Sequence, residues 1–120
     1  MSAVQIPIDE NLSDGQWHER SVVIEDRHIS VMLRFSEGQW QGFQNACPHQ
    51  GRRMDYAPDR FLMTPKGTLV CPAHGAEFRP TDGFCVNGPC RGASLKPVEV
   101  SESEAGILTL KAVWFADSCA

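Results

Sequence analysis

A chain of 120 residues with 42% hydrophobic and 22% charged residues has the composition of an ordinary globular protein, long enough to bury roughly two thirds of the surface its unfolded form exposes. This excludes a disordered or fibrous chain, and the formal net charge of -4 gives no electrostatic reason to expect nucleic acid or an anionic membrane as a partner. No segment approaches the ~20 apolar residues of a membrane span, and the opening "MSAVQIPIDE" has neither the basic residue nor the apolar run of a signal peptide, so the expected compartment is the cytoplasm.

Along the chain, short segments rich in β-branched and aromatic residues recur between turn signals, which predicts one all-β domain over 1–120 with no internal repeat. "SVVIE" and "HISVMLRF" read as strands joined at Asp26 and Arg27, after which "SEGQ" turns into "WQGFQNA". A helical turn is the one non-strand element expected, near Asp55 to Asp59. "RFLMT" and "TLVC" read as strands joined at Pro65, Lys66 and Gly67, whose proline and glycine supply the dihedrals of a tight turn. "AEFRP" and "GFCV" flank a turn at Thr81, Asp82 and Gly83, and "KPVEVS" and "ILTLKAVWF" close the chain.

Five cysteines in a reducing compartment point to metal ligands or free thiols rather than a disulfide framework. Four residues stand out: "ACPHQG" carries Cys47 and His49, and after a spacer of twenty-one residues "CPAHGAEF" carries Cys71 and His74. Each pair follows an expected strand and opens a loop containing glycine, so two loop tips could each present a thiolate and an imidazole. Two thiolates and two imidazoles suit tetrahedral zinc or an iron–sulfur cluster in which histidines replace two cysteines. The Cys-x-x-Cys knuckle and His-x-x-x-His helix of common structural zinc sites are both absent.

At these residues the sequence resembles the Rieske [2Fe-2S] family, whose two loops follow Cys-x-His and Cys-Pro-x-His-Gly. "CPHQG", "CPAHGAEF", "TDG" and a "GP" followed by "SLKPVEV" occur in the family's order, from about Trp40 to Val100. The resemblance implies an antiparallel β-sandwich or barrel with a small cluster-binding subdomain at one end, about 45–92. It implies one [2Fe-2S] cluster per chain, with Cys47 and Cys71 on one iron and His49 and His74 on the other. The segment Asn87 to Gly92 corresponds to the third loop, with Gly88 and Pro89 closing over the cluster.

The spacer is a few residues longer than is usual for the family, which is read as a longer hairpin through Pro65 to Gly67. Membrane-complex members also have a disulfide between the loops and a serine and tyrosine hydroxyl aimed at the cluster sulfurs. This chain has Arg52 and Ala73, and Ala76 and Phe78, at those places. The resemblance is therefore to the soluble ferredoxin branch, and it implies a monomeric electron carrier between a reductase and an acceptor such as a non-haem iron oxygenase. With its histidines committed, the chain cannot build the 2-His-1-carboxylate site of such an oxygenase. A small subunit of a larger assembly, similar to the nitrite reductase small subunit, is the alternative, and a zinc-stabilised interaction module is a third.

Outside the motif, His18 and His28 are expected to face solvent, and Trp17, Trp40 and Trp114 to pack in the core. A Gly-Pro turn between Cys85 and Cys90, in "CVNGPC", could bring them within disulfide distance, although the expected compartment favours free thiols. Cys119 is read as a tail thiol. Residues 46–92 hold six basic side chains against four acidic, leaving -6 for the remainder, so Arg52, Arg53, Arg79 and Arg91 form either a docking patch or an ordinary solvated surface.

Overall fold

The computed structural model describes residues 3–9, 12, 14–48, 52–57, 60–73, 75–89 and 92–112, and all its regular structure is strand. The strands are β1 (Ala3–Pro7), β2 (His18–Ile24), β3 (Arg27–Ser36), β4 (Gln39–Gln44), β5 (Asp55–Ala57), β6 (Arg60–Met63), β7 (Leu69–Val70), β8 (Glu77–Phe78), β9 (Cys85–Asn87), β10 (Glu99–Glu104) and β11 (Ile107–Lys111). They form three antiparallel sheets ordered β1-β11-β10, β2-β3-β4 and β5-β6-β7-β8-β9. All five strands of the third sheet come from the stretch read as the cluster-binding subdomain.

Strand alternation on β3 explains how two cores arise side by side. Ile29, Val31 and Leu33 are buried with Val22, Ile24, Val98, Leu108 and Leu110 between the two three-stranded sheets. Met32, between Val31 and Leu33 in sequence, joins a separate core with Trp17, Phe43, Cys47, Met54, Leu69, Cys71 and Phe78. Successive side chains of a strand leave by opposite faces, so β3 is the wall between the sandwich and the cysteine-bearing end. The fully buried Leu108 and Leu110 each contribute ~1.5 to 3 kcal/mol by leaving water.

Several boundaries differ from those expected. The β2–β3 turn is Glu25-Asp26, one residue earlier, with φ of 51° and 64°; a two-residue type I′ hairpin needs positive φ at both central positions. Strand β1 was not expected, because only Val4 and Ile6 mark its inner face. Its register against β11, from Ala3↔Lys111 to Pro7↔Ile107, holds it as an edge strand, where a terminal proline is tolerated. The expected helical turn at Asp55 is instead β5, paired with β6 through Asp55↔Phe61, while 58 and 59 lie outside the described residues. "KPVEVS" divides between two partners. Lys96 and Val98 bond to β4 through Gln44 N–H to Lys96 O (2.8 Å) and Val98 N–H to Gly42 O (2.9 Å), and β10 begins only at Glu99. At the other end, β11 stops at Lys111, and Trp114 lies outside the described residues.

This crossing of 96–98 over β4 joins the two three-stranded sheets, and it needs a glycine. A Cβ at Gly42 would lie 2.5 Å from Val100 Cγ2, 3.0 Å from the Val98 carbonyl oxygen and 3.1 Å from Leu33 Cδ2. Gly42→Ala is therefore expected to destabilise the fold by about 1 to 3 kcal/mol through overpacking, measured by denaturant unfolding. An unchanged midpoint would mean that the sheets are not held together at this point.

Candidate metal centre

Cys47 follows β4 by three residues, and Cys71 directly follows β7. The two loops they open are closed in the same way. The Cys47 N–H donates to the Arg52 carbonyl at 2.6 Å, and the Cys71 N–H donates to the Ala76 carbonyl at 2.8 Å, so each bond spans five residues. In the second loop the Gly75 N–H also returns to the Cys71 carbonyl at 2.8 Å. Gly75 has φ +74°, a conformation glycine adopts without steric penalty.

Both cysteines have no solvent exposure and belong to the same core. Of the four candidate residues, Cys47 and Cys71 are brought into one buried cluster from loops of matching closure. His49 and His74 lie outside the described residues, as do Gln50, Gly51, Cys90, Arg91 and Cys119. Among the described residues no three His, Cys, Asp or Glu side chains converge as a metal site.

The third loop packs on the second. Cys85 N–H donates to Ala93 O and Leu95 N–H to Gly83 O, both at 2.8 Å, so 83–95 folds back on itself. At its turn Gly88 has φ +95°, and a Cβ there would lie 2.8 Å from Ala76 Cα. Only a glycine admits this approach of the third loop to the residue that closes the second. Cys85 is a buried thiol whose S–H donates to the Asn87 carbonyl at 3.2 Å, and Cys90 lies outside the described residues.

Two site-forming residues carry no motif signal. Asn45 and Asp55 are buried polar side chains flanking the first loop, joined by an Asn45 Nδ2 to Asp55 Oδ1 bond of 3.1 Å. Arg53 grips the same carboxylate through Nε (2.8 Å) and Nη2 (2.9 Å). Burial pushes the Asp55 carboxyl up, but the bonds from Arg53 and Asn45 outweigh it and hold the group below the usual carboxylate range. A buried polar residue reveals itself only through its partners, and Asn45 and Asp55 lie ten residues apart.

One other expectation is corrected. His18 is buried rather than solvent-facing, with Nε2 2.8 Å from Asp14 Oδ1, because it begins β2 beside the buried Trp17. His28 is exposed, as expected. Of the four arginines read as a possible patch, Arg53 pairs with Asp55 and approaches Glu19 at 3.6 Å, and Arg79 pairs with Asp82 at 2.6 Å. Their charge is largely answered within the chain. Arg52 is exposed, and Arg91 lies outside the described residues. No helix among the described residues is long and apolar enough to cross a membrane.

The comparisons with known proteins agree with this arrangement. A putative respiratory nitrate reductase Rieske subunit from Haloferax mediterranei is 32% identical over 74 residues, which are 60% of this chain and 30% of that protein. The chain thus spans less than a third of this curated relative. Among solved structures, the ferredoxin of carbazole 1,9a-dioxygenase from Nocardioides aromaticivorans IC177 superposes with a TM-score of 0.68 at 15% identity, covering 92% of this chain and 98% of that one. The terminal oxygenase of carbazole 1,9a-dioxygenase from Novosphingobium sp. KA1 superposes with a TM-score of 0.71 at 20% identity, over 90% of this chain and 29% of the oxygenase. At these identities the structural likeness is one of fold. The family description "Rieske [2Fe-2S] domain" matches residues 3–105, and with that match across most of its length, the chain belongs to the Rieske [2Fe-2S] domain family.

Proposed function

We propose that this chain is a single-electron carrier that accepts electrons from a reductase and delivers them to a terminal acceptor such as a non-haem iron oxygenase, and that it does not itself catalyse a reaction on a substrate. The observation that carries the reading is the full burial of Cys47 and Cys71 in one core by two loops of the same closure. Members of the family bind a Rieske-type [2Fe-2S] cluster, and the donor set fits that group: Cys47 and Cys71 would hold one iron, His49 and His74 the other. The likeness to a ferredoxin that is itself matched over 98% of its length supports a carrier.

When bound, the cluster supplies one-electron chemistry at a potential raised by histidine ligation. Two ferric ions and two sulfides carry a net charge that two thiolates cancel, so neutral imidazoles leave the oxidised site uncharged, where four thiolates would leave it anionic. An electron enters an uncharged site more easily. The protein's part is to bury the thiolates and to hold the loops in register, and such a role needs no substrate cavity.

The Haloferax relative favours a second reading, a subunit serving one fixed partner within a larger reductase. A carrier is isolated as a monomer and exchanges electrons with a separate reductase; a subunit is recovered in a stable complex.

Purified protein is expected to contain two irons and two acid-labile sulfides per chain and, once reduced, to give a rhombic EPR signal with the low average g of histidine ligation. Substitution of His49 or His74 should abolish that signal. Zinc as the bound metal in native preparations, or an intact spectrum in both variants, would overturn the ligand set.

The potential should lie near the bottom of the histidine-ligated range, at about -150 mV. Ala76 and Phe78 are fully buried and neither side chain can donate a hydrogen bond. A donor to a cluster or ligand sulfur stabilises the reduced state more than the oxidised one. Ala76→Ser and Phe78→Tyr should therefore each raise the potential by roughly 45 to 90 mV, which is ~1 to 2 kcal/mol for a one-electron couple. Voltammetry giving a wild-type value near +300 mV, or no upward shift in either variant, would contradict the assignment.

A further inference from the structure

The polar residues beside the first loop form a closed ring. Ser30 Oγ of β3 donates to Glu19 Oε2 of β2 at 2.7 Å and accepts from Asn45 Nδ2 at 3.1 Å. Asn45 Nδ2 also donates to Asp55 Oδ1, Asp55 is held by Arg53, and Arg53 Nη2 returns to Glu19 Oε2 at 3.6 Å. Asn45 is the member that joins the two ends of the loop. Its Oδ1 accepts the Met54 N–H at 2.7 Å, and its backbone N–H donates to the Ser30 carbonyl at 2.9 Å. The side-chain amide thus places both N–H groups against acceptors and its oxygen against a donor, all in a residue only 4% exposed. No other side chain of similar size offers two donors and an acceptor in that layout.

We propose that Asn45 is the positioning residue of the first cluster loop. It ties the limb that leads into Cys47 to β3 and the limb that returns at Met54 and Asp55 to the same point, so the loop keeps its width whether or not metal is bound. The inference rests on the reading of Cys47 and His49 as ligands. Asn45 acts through the backbone two residues before Cys47. Without it the Met54 N–H, the Asp55 carboxylate and the Ser30 hydroxyl each lose a buried partner, and the loop can widen.

The test uses the full-length protein. Iron release to a chelator, the width of the reduced EPR lines and hydrogen exchange at the Met54 amide are measured in wild type, Asn45→Ala, Asn45→Asp and the double variant Asn45→Asp with Asp55→Asn. The control is Leu108→Ala, a substitution in the sandwich core. Asn45→Ala should still take up two irons per chain but release them roughly tenfold faster, the effect of leaving buried partners unpaired. Its EPR lines should broaden and its Met54 amide exchange faster, whereas Leu108→Ala lowers the melting temperature without these changes. Asn45→Asp sets two carboxylates face to face and should be the worst. The double variant removes that repulsion but turns an amide N–H at position 55 toward the Arg53 Nε–H, so it should recover only part of the loss. If Asn45→Ala fails to fold, Ser30→Ala removes one arm of the grip and should show the same changes at several-fold magnitude. Iron release no faster than in the control, or a double variant as defective as Asn45→Asp, would overturn the proposal. Met54 exchange is read with or without iron, so a failure of the ligand assignment shows separately, as a wild-type protein that binds no cluster.

Discussion

Two backbone hydrogen bonds, from the Cys47 N–H to the Arg52 carbonyl and from the Cys71 N–H to the Ala76 carbonyl, set the terms on which the metal-binding end is built. Each closes a loop at the cysteine that opens it, so the position of the thiol is set by the backbone rather than by a rotamer search. Because both cysteines are fully buried in one core, a change in either loop is felt by Met54, Leu69 and Phe78. The third loop adds its own condition through Gly88, whose close approach to Ala76 bears on the residue that completes the second closure.

The sandwich contributes through β3. Its Val31 and Leu33 fill the core between the three-stranded sheets while Met32 fills the core beneath the cysteines, so the two halves of the molecule share a wall. The polar ring around Asn45 crosses the same boundary, with Glu19 and Ser30 on the sandwich side and Arg53 and Asp55 on the loop side. Apolar packing sets the distance between the halves without fixing direction. The hydrogen bonds supply the direction, and burial makes each of them expensive to leave unmade.

Strands with a regular pattern were legible in the sequence. β3, β4 and the hairpin between β6 and β7 carry alternating or β-branched residues between turn signals, and they formed where expected. β1 was hidden because two apolar residues are too few to show a period. "KPVEVS" read as one strand because composition does not reveal that Lys96 and Val98 bond to β4 while Glu99 onward pairs with β11. Spacing and flanking glycines singled out four candidate ligands, of which Cys47 and Cys71 share one core while His49 and His74 lie outside the described residues. Asn45, Asp55 and the burial of His18 carried no such signal, since a polar residue's role is set by partners that only the fold brings near. The arginines are open between a docking patch and a solvated surface in the sequence, and the fold adds that Asp55 and Asp82 answer two of their charges locally.

The central claim is that the two loops hold two chemically different irons, one on thiolates and one on imidazoles. Mössbauer spectroscopy of the iron-57-enriched protein tests it directly. In the oxidised, all-ferric protein the account predicts two unequal sites in a one-to-one ratio, the iron on imidazoles having the larger isomer shift, and on one-electron reduction that same iron becomes ferrous. Two equivalent irons on all-sulfur coordination, or a single iron per chain, would contradict it.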